Sequence, residues 1–401
     1  MSWVSAVIFA LSGAPDLSTN MKYFLIAGEA SGDMHAARLI TALRQRDSEA
    51  VMVGLGGDKM QAAGCRLYQH YRNMAYMGYV AVLTHLKDIR TNIRIAEQAL
   101  LSERPDELIL IDYPGFNLHI AQFAKRHLPD TRVTYYIPPK IWAWKRWRVH
   151  SIGKYCDRIL GIFPFEPDFY ARYGYTCTYV GNPTAEAIAD YTQATQPSNS
   201  EALKPSNSKA SDSVALLPGS RRHEIENCLS KMLLAAEQAI SDLPDIRTIV
   251  VTQAPGIEPQ VYERLCADHP LVQLTTDTYA AVCSARAAIV NSGTATLETA
   301  LLGCPQVAVY HLAFGHLLGL LRPIMFQIPH FTLVNIVAGR EVIRELLAYE
   351  FTVEATRDEL RRLLTDSNYV AAMQTGYLDV QRLLGTSRAA EAAAEQIIGK
   401  V

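Results

Sequence analysis

Val290-Asn291-Ser292-Gly293-Thr294-Ala295-Thr296-Leu297-Glu298 is the stretch that decides the fold class of this chain. The apolar run from Ala287 to Val290 reads as a buried strand. It breaks into small hydroxyl and glycine residues, and a helix-compatible segment follows at once. A strand that runs into a helix N-terminus gathers unpaired backbone N–H groups and the positive pole of the helix dipole. Phosphate oxygens bind at such a point. Glu298, one turn into the helix, is placed to accept hydrogen bonds from a ribose. Asn291, Ser292, Gly293, Thr294 and Glu298 are therefore candidate ligands of a nucleoside diphosphate.

A second segment repeats the pattern. Val214 to Leu217 reads as a strand, and Pro218-Gly219-Ser220-Arg221-Arg222-His223-Glu224 opens a helix. Gly219 permits a close turn, Ser220 can cap the helix, and the guanidinium of Arg221 or Arg222 can fork onto a phosphate. An ordinary strand–helix turn with a capping serine is the alternative. Two such segments in one half of the chain favour a nucleotide site.

Short apolar runs alternate with amphipathic stretches along the whole sequence. Strands are expected at Tyr23–Ala27, Val51–Leu55, Glu107–Ile111, Val133–Ile137 and Arg158–Ile162. A second set is expected at Val214–Leu217, Thr248–Thr252, Val272–Leu274, Ala287–Val290 and Val307–Tyr310. Helical periodicity at Met34–Arg44, Ile89–Leu101 and Phe116–His127 separates several of them. The alternation predicts an α/β protein with two Rossmann-like domains of parallel sheet facing a central cleft, with ligands at the carboxyl ends of the strands. The expected divisions are a first domain over 21–190, a Ser-, Asn- and Pro-rich linker or loop over 191–213, and a second domain over 214–375. A C-terminal helical segment over 376–401 is expected to cross back to the first domain. Residues 1–20 read as an extension ahead of Met21, which directly precedes the first strand.

A chain of 401 residues suffices for two full cores. Its net charge of -2 gives no support to nucleic-acid binding through bulk charge. Seven cysteines are scattered without the close spacing of a zinc knuckle or a redox pair, which fits a reducing cytosol. No stretch is a convincing membrane span, since Leu312 to Phe326 is interrupted by His316, Arg322 and Pro323. No acidic Asp-x-Asp pair of the metal-binding kind accompanies the phosphate loops, so neither a metal nor another cofactor is expected.

Three loops of the first half carry candidate chemistry. Gly28-Glu29-Ala30-Ser31-Gly32-Asp33 follows the first strand; Gly28 and Gly32 allow close approach of a ligand, and Ser31 and Asp33 either cap the helix or bind sugar hydroxyls. Asp112 ends a very apolar strand, in Asp112-Tyr113-Pro114-Gly115-Phe116-Asn117. It reads either as a partly desolvated general base or as a turn-forming aspartate. Tyr135 to Lys145 holds Trp142, Trp144, two prolines and basic residues, and reads either as an aromatic substrate loop or as domain packing. Lys145, Arg146 and Arg148 with Trp147 suit an anionic membrane surface. The apolar Met77–Leu86 stretch reads as a lipid-contacting lid or as a core helix.

Together these motifs resemble the lipid-A-disaccharide synthase family. The matching segments are Ala27–Asp33, Ile111–Asn117, Ile141–Trp144, Phe163–Glu166, Val180–Pro183, Leu216–Glu224, Asn291–Glu298 and Asn335–Glu341, in that order. The resemblance implies an inverting glycosyltransferase of the GT-B fold. Its implied donor is UDP-2,3-diacylglucosamine and its implied acceptor is 2,3-diacylglucosamine 1-phosphate (lipid X). The implied products are lipid A disaccharide 1-phosphate and UDP. It also implies peripheral attachment at the cytoplasmic face of an anionic inner membrane, and leaves a homodimer open. Asp112 and Arg221 become the catalytic candidates. Gly28, Glu29, Ser31, Gly32, Asp33, Asn117, Trp142, Trp144, Asn335 and Arg340 join the phosphate-loop residues Gly219, Ser220, Asn291, Ser292, Gly293, Thr294 and Glu298 as substrate-binding candidates.

The chain departs from the family pattern in one telling place. The family commonly carries a second acidic residue where Gly115 stands, so Asp112 is the leading base, with Glu29 and Asp33 in reserve. Lys140 also lies outside the usual pattern and offers an extra anion contact. A sugar-nucleotide 2-epimerase and a non-catalytic nucleotide-sugar-binding protein are the alternative readings. The aromatic loop argues for lipid substrates, and the loss at Gly115 gives the non-catalytic reading its weight.

Overall fold

The first sheet is built from short runs of apolar and β-branched residues that are buried on both faces. Those of β1 (Lys22–Ala27) and β4 (Glu107–Ile111) include Phe24, Leu25, Ile26, Ile109, Leu110 and Ile111, none of which reaches solvent. Such strands suit a parallel sheet covered by helices on both sides. In the computed structural model, which describes residues 20–73, 86–143, 145–195, 211–311 and 329–399, this is what forms. The remaining strands of the sheet are β2 (Val51–Gly56), β3 (Arg66–His70), β5 (Arg132–Tyr136), β6 (Arg158–Gly161) and β7 (Thr178–Tyr179). The order is β3-β2-β1-β4-β5-β6-β7, with every pair parallel.

The second sheet repeats the plan. Its strands are β8 (Ser213–Leu217), β9 (Thr248–Thr252), β10 (Val272–Thr275), β11 (Ala287–Asn291), β12 (Gln306–Tyr310) and β13 (Glu345–Leu347), in the order β10-β9-β8-β11-β12-β13. In both sheets the chain starts in the middle, winds outward one way, then returns to wind the other. The switch points lie between β1 and β4 and between β8 and β11. A ligand crevice opens at the carboxyl ends of strands at such a point. The expected two-domain α/β architecture is therefore present, and three edge strands, β3, β7 and β13, add to the expected set.

The C-terminal region is helical but not continuous. Helices span Val353–Thr365, Ser367–Leu384 and Ala389–Ile398, broken at Asp366 and at Gly385, whose φ of 64° no helix accommodates. The Ser367–Leu384 helix stays on the second domain, where the buried Tyr377 hydroxyl donates to the Cys304 carbonyl at 3.2 Å. Only after Gly385 does the chain cross back. The last helix presents Ala390, Ala393, Ala394 and Ile397 to the first domain, in one apolar cluster with Leu39, Ile40 and Leu43 of the helix Ala30–Arg46. Arg388 pairs with Asp190 at 3.0 Å, and the Ala389 N–H donates to Glu186 at 3.0 Å, pinning the crossover.

The linker expected over 191–213 is partly structured. The helix Pro183–Thr195 runs into it, and β8 begins at Ser213. Residues 1–19, Trp144, the Leu312–Phe326 stretch and all of the Met77–Leu86 stretch but Leu86 lie outside the described residues, as does 196–210.

Ile397 is fully buried where the last helix meets the first domain. Ile397→Ala is expected to destabilise the protein by about 2–5 kcal/mol through lost burial and a residual cavity. Urea unfolding followed by far-UV circular dichroism measures it, and a loss below the bottom of that range would show that the crossover contributes little.

Candidate active site

The strand–helix turns after β8 and β11 line one cavity of about 510 Å³, together with residues after β9. Gly219, Ser220, Arg221, Asn291, Ser292, Gly293, Thr294 and Glu298 all contribute to its wall. The two helix N-termini differ. The helix Thr294–Leu301 has Gly293 at its N-cap and no side chain capping it, and a Cβ on Gly293 would meet only open space. Its first N–H groups thus border a free volume at the positive end of a dipole. The helix Arg222–Ile240 is capped from within: the Glu224 carboxylate accepts the N–H groups of Ser220 at 3.0 Å and Arg221 at 3.2 Å, and pairs with the Arg221 guanidinium at 2.9 Å. Gly219 holds φ at 123°, and a Cβ there would strike Asn291 and Glu224. Only glycine lets this turn close. Glu298 accepts from the Tyr279 hydroxyl at 3.3 Å, and desolvation by the cavity wall pushes its carboxyl above the usual carboxylate range.

Opposite this wall stands the carboxyl end of the first sheet. Asp112 and Tyr113, both non-glycine, share a φ of 46°. Two consecutive left-handed residues are strained, by roughly 1–3 kcal/mol each, and persist only when neighbours over-determine them. Here the neighbours are visible. The buried Asn117 amide donates to the carbonyl oxygens of Ile111 at 3.2 Å and Asp112 at 2.7 Å. The Tyr135 hydroxyl donates to the same Asp112 carbonyl at 2.6 Å, and the Asp112 N–H donates to the Ile137 carbonyl at 3.2 Å. The Asp112 carboxyl is left half-buried, and desolvation, then the nearby charge of Glu29, push its pKa up to about 6; Lys140 opposes them. Lys140 lines the cavity of the second domain and at the same time acts electrostatically on Asp112, so it joins the two walls.

The lipid-A-disaccharide synthetase family model matches residues 23–398. The lipid-A-disaccharide synthase of Geobacter sulfurreducens is 34% identical over 385 residues, covering 94% of this chain and 96% of that protein. That of Syntrophus aciditrophicus is 36% identical over 374 residues, covering 92% and 95%. The chain belongs to the lipid-A-disaccharide synthetase family. Membership places it among the glycosyltransferases of lipid A biosynthesis, which join a nucleotide-sugar donor to an acceptor. Solved structures agree on the fold. A UDP-GlcNAc 2-epimerase from Neisseria meningitidis, bound to UDP-GlcNAc, aligns with a TM-score of 0.60 at 11% identity over 94% of this chain and all (100%) of that one. The glycotransferase of kitacinnamycin aligns with a TM-score of 0.58 at 12% identity, covering 95% and 99%. At such identities the likeness establishes the GT-B architecture alone.

Several residues that the resemblance to the synthase family implied as ligands have other duties in the structure. Asp33 is 2% exposed, and its carboxylate accepts the N–H groups of Gly57 (2.8 Å), Lys59 (3.0 Å) and Met60 (3.0 Å). It caps the helix Asp58–Ala62 and is not a reserve base. Gly28 is buried beneath the Tyr113 ring, and Gly32 packs the helix start onto Ala27, so both serve close packing and not a ligand. Asn117 holds the Asp112 turn from below. Trp142 is 5% exposed, stands edge-on to Phe163 and Phe165, and donates to the buried Glu166 at 3.2 Å, so it packs into the core of the first domain. Asn335 is wholly buried, accepting from Val342 and Ile343 and donating to Ile343 and Glu345. Arg340 pairs with Asp379 at 2.8 Å, and neither it nor Asn335 lines the donor cavity. Glu29 and Ser31 follow the carboxyl end of β1, joined by a 2.5 Å hydrogen bond from the Ser31 hydroxyl.

Other residues of the site were not singled out from the sequence. Thr252, Gln253, Ala254 and Pro255 enter the cavity wall from the end of β9, and Thr278 from the start of a helix. Their signal was available: ligands collect at carboxyl ends of strands, and β9 was an expected strand. Glu166, buried behind Trp142, is pushed up to about 7 by desolvation against the N–H bonds it accepts from Ile162 and Phe163.

Gly115, where the family commonly has an acid, is exposed in the first turn of the helix Pro114–His127, and a Cβ there meets nothing within 4 Å. No neighbour demands glycine. Gly115→Asp is expected to raise stability by about 0.5–1 kcal/mol, since it removes a helical glycine and places an anion at the helix N-terminus. A lowered midpoint in thermal unfolding would contradict this.

Proposed function

We propose that the protein transfers a diacylglucosamine unit from UDP-2,3-diacylglucosamine to the 6-hydroxyl of 2,3-diacylglucosamine 1-phosphate. The products are the β-1,6-linked lipid A disaccharide 1-phosphate and UDP. The observation that carries the reading is the pairing of a half-buried carboxyl on one wall of the cleft with an uncapped helix N-terminus on the other. The acceptor oxygen attacks the anomeric carbon as Asp112 takes its proton. The bond from that carbon to the diphosphate oxygen breaks on the opposite face, and configuration inverts. A base pushed up to about 6 is ionised near neutrality, yet basic enough to accept the proton. The diphosphate gains negative charge at the N–H groups of Gly293 and Thr294, with Arg221 beside it. Glu298 holds the ribose.

Acyl chains bring the substrates to a lipid surface. Among the described residues no helix is long and apolar enough to cross a membrane. Trp147, two-thirds exposed at 66%, stands among Lys145, Arg146 and Arg148. An indole flanked by cations suits the headgroup layer of an anionic membrane, and we assign peripheral contact with the cytoplasmic face of the inner membrane to this patch. Self-association as a homodimer is compatible with this attachment.

Asp112→Asn is expected to abolish most transfer while calorimetry still registers UDP binding; surviving transfer would place the base elsewhere. In the wild type, protonation of Asp112 removes the base, so kcat/KM should fall about tenfold per unit as pH drops below about 6. A flat profile through that range would contradict the assignment. Arg221→Ala is expected to cut turnover by about a hundredfold, the usual weight of one charged donor at a developing anion. Disaccharide formation by mass spectrometry reads each variant, and near-normal turnover would remove Arg221 from the mechanism.

A further inference from the structure

We propose that Lys140, carried by the acceptor domain, reaches across the cleft to the departing diphosphate and is a catalytic residue of the transfer. The inference rests on the proposed function above and adds a group to it. Among the described residues, Lys140 is the only one of the first sheet's domain that lines the cavity, whose other walls include Ser220, Arg221, Gly293 and Thr294. Of the two cations that the described residues place in that wall, Arg221 already has a carboxylate partner in Glu224. Lys140 makes no ion pair or side-chain hydrogen bond among the described residues, and its side chain is open to the cleft.

Its stem is well anchored. It follows Ile137, held at a φ of 59°, and the buried pair Pro138 and Pro139, and it precedes Ile141, which is 2% exposed and donates its N–H to the Pro139 carbonyl. Two prolines and a buried neighbour leave little freedom to the backbone, so the ammonium is delivered to one region of the cleft.

Desolvation of the ammonium, not the neighbouring carboxylates, favours an anion on the open side. Asp112, Glu166 and Glu29 act on Lys140 from the first domain. The protein mass on both sides of the cleft disfavours its charge and pushes its pKa below the usual lysine range, against those carboxylates. A diphosphate entering beside it relieves that cost, and relieves it most as charge develops on the leaving oxygen. A cation fixed to one domain and an anion bound by the other also draw the two domains together at the moment of transfer. Asp112 feels the same charge: Lys140 lowers its pKa while burial and Glu29 raise it.

The test compares Lys140→Met and Lys140→Arg with the wild type in steady-state transfer, in calorimetry with UDP, and across pH. Lys140→Met should lower kcat by about a hundredfold and weaken UDP binding by about tenfold. Lys140→Arg should recover most of both. In Lys140→Met the acid limb of kcat/KM should move to higher pH, because Asp112 loses a neighbouring cation, and a residue that merely packs the loop would not move it. A kcat within about twofold of wild type together with unchanged UDP affinity overturns the proposal. So does a loss confined to the acceptor KM, which would seat the ammonium on the acceptor phosphate. If the wild type forms no disaccharide, the functional reading fails, and the UDP affinity of Lys140→Met still decides whether Lys140 meets the diphosphate.

Discussion

The turn at the end of β4 is the constraint on which the rest of the site depends. A strand buried on both faces delivers Asp112 to the cleft, and two consecutive residues then adopt a conformation that costs energy without glycine. The Asn117 amide, the Tyr135 hydroxyl and the Ile137 carbonyl meet that cost with hydrogen bonds to the turn's own backbone. The result is a carboxyl fixed relative to the sheet instead of swinging on a loop. Rigid placement of this kind is what a proton acceptor needs, since small misplacement of a reacting group is expensive in rate.

Charge is distributed unequally across the cleft. The second domain offers one helix N-terminus without a cap and one already occupied by Glu224. The first domain offers one ammonium, that of Lys140, on which the charges of Asp112, Glu166 and Glu29 act. Neither wall is complete alone. In the proposed transfer, the diphosphate meets backbone donors on one side and a cation on the other, with the carboxyl groups of Asp112 and Glu29 on the first domain. The C-terminal helix, docked on the first domain after crossing from the second, ties the two halves through Arg388, Asp190 and Glu186.

Much of this was legible in the chain. The central strands of both sheets announced themselves because they are buried on both faces and read as unbroken apolar runs. Three of the four edge strands did not. Arg66–His70 is polar and half-exposed, Thr178–Tyr179 is two residues long, and Glu345–Leu347 is three, so none has a periodic signature. The two strand–helix turns that line the cavity were legible because glycine and small hydroxyl residues between an apolar run and a helix-compatible segment mark such a turn. Asp33, Trp142 and Asn335 were misleading for a shared reason: polar or aromatic residues in a conspicuous motif look like ligands, yet each satisfies buried backbone or packs a core.

The sequence by itself determined the α/β class, the two parallel sheets, the two glycine-bearing strand-to-helix turns and the family. Each of these is set by local pattern, by burial periodicity and residue size over a few adjacent positions. Only the tertiary structure decided which of two nearby carboxylates stands free and which is consumed in capping, that Glu224 rather than a ligand holds Arg221, and that Lys140 crosses from one domain toward the cavity of the other. Those outcomes depend on distances between residues remote in sequence, and electrostatic and hydrogen-bonding energies follow distance in space, to which spacing along the chain is blind.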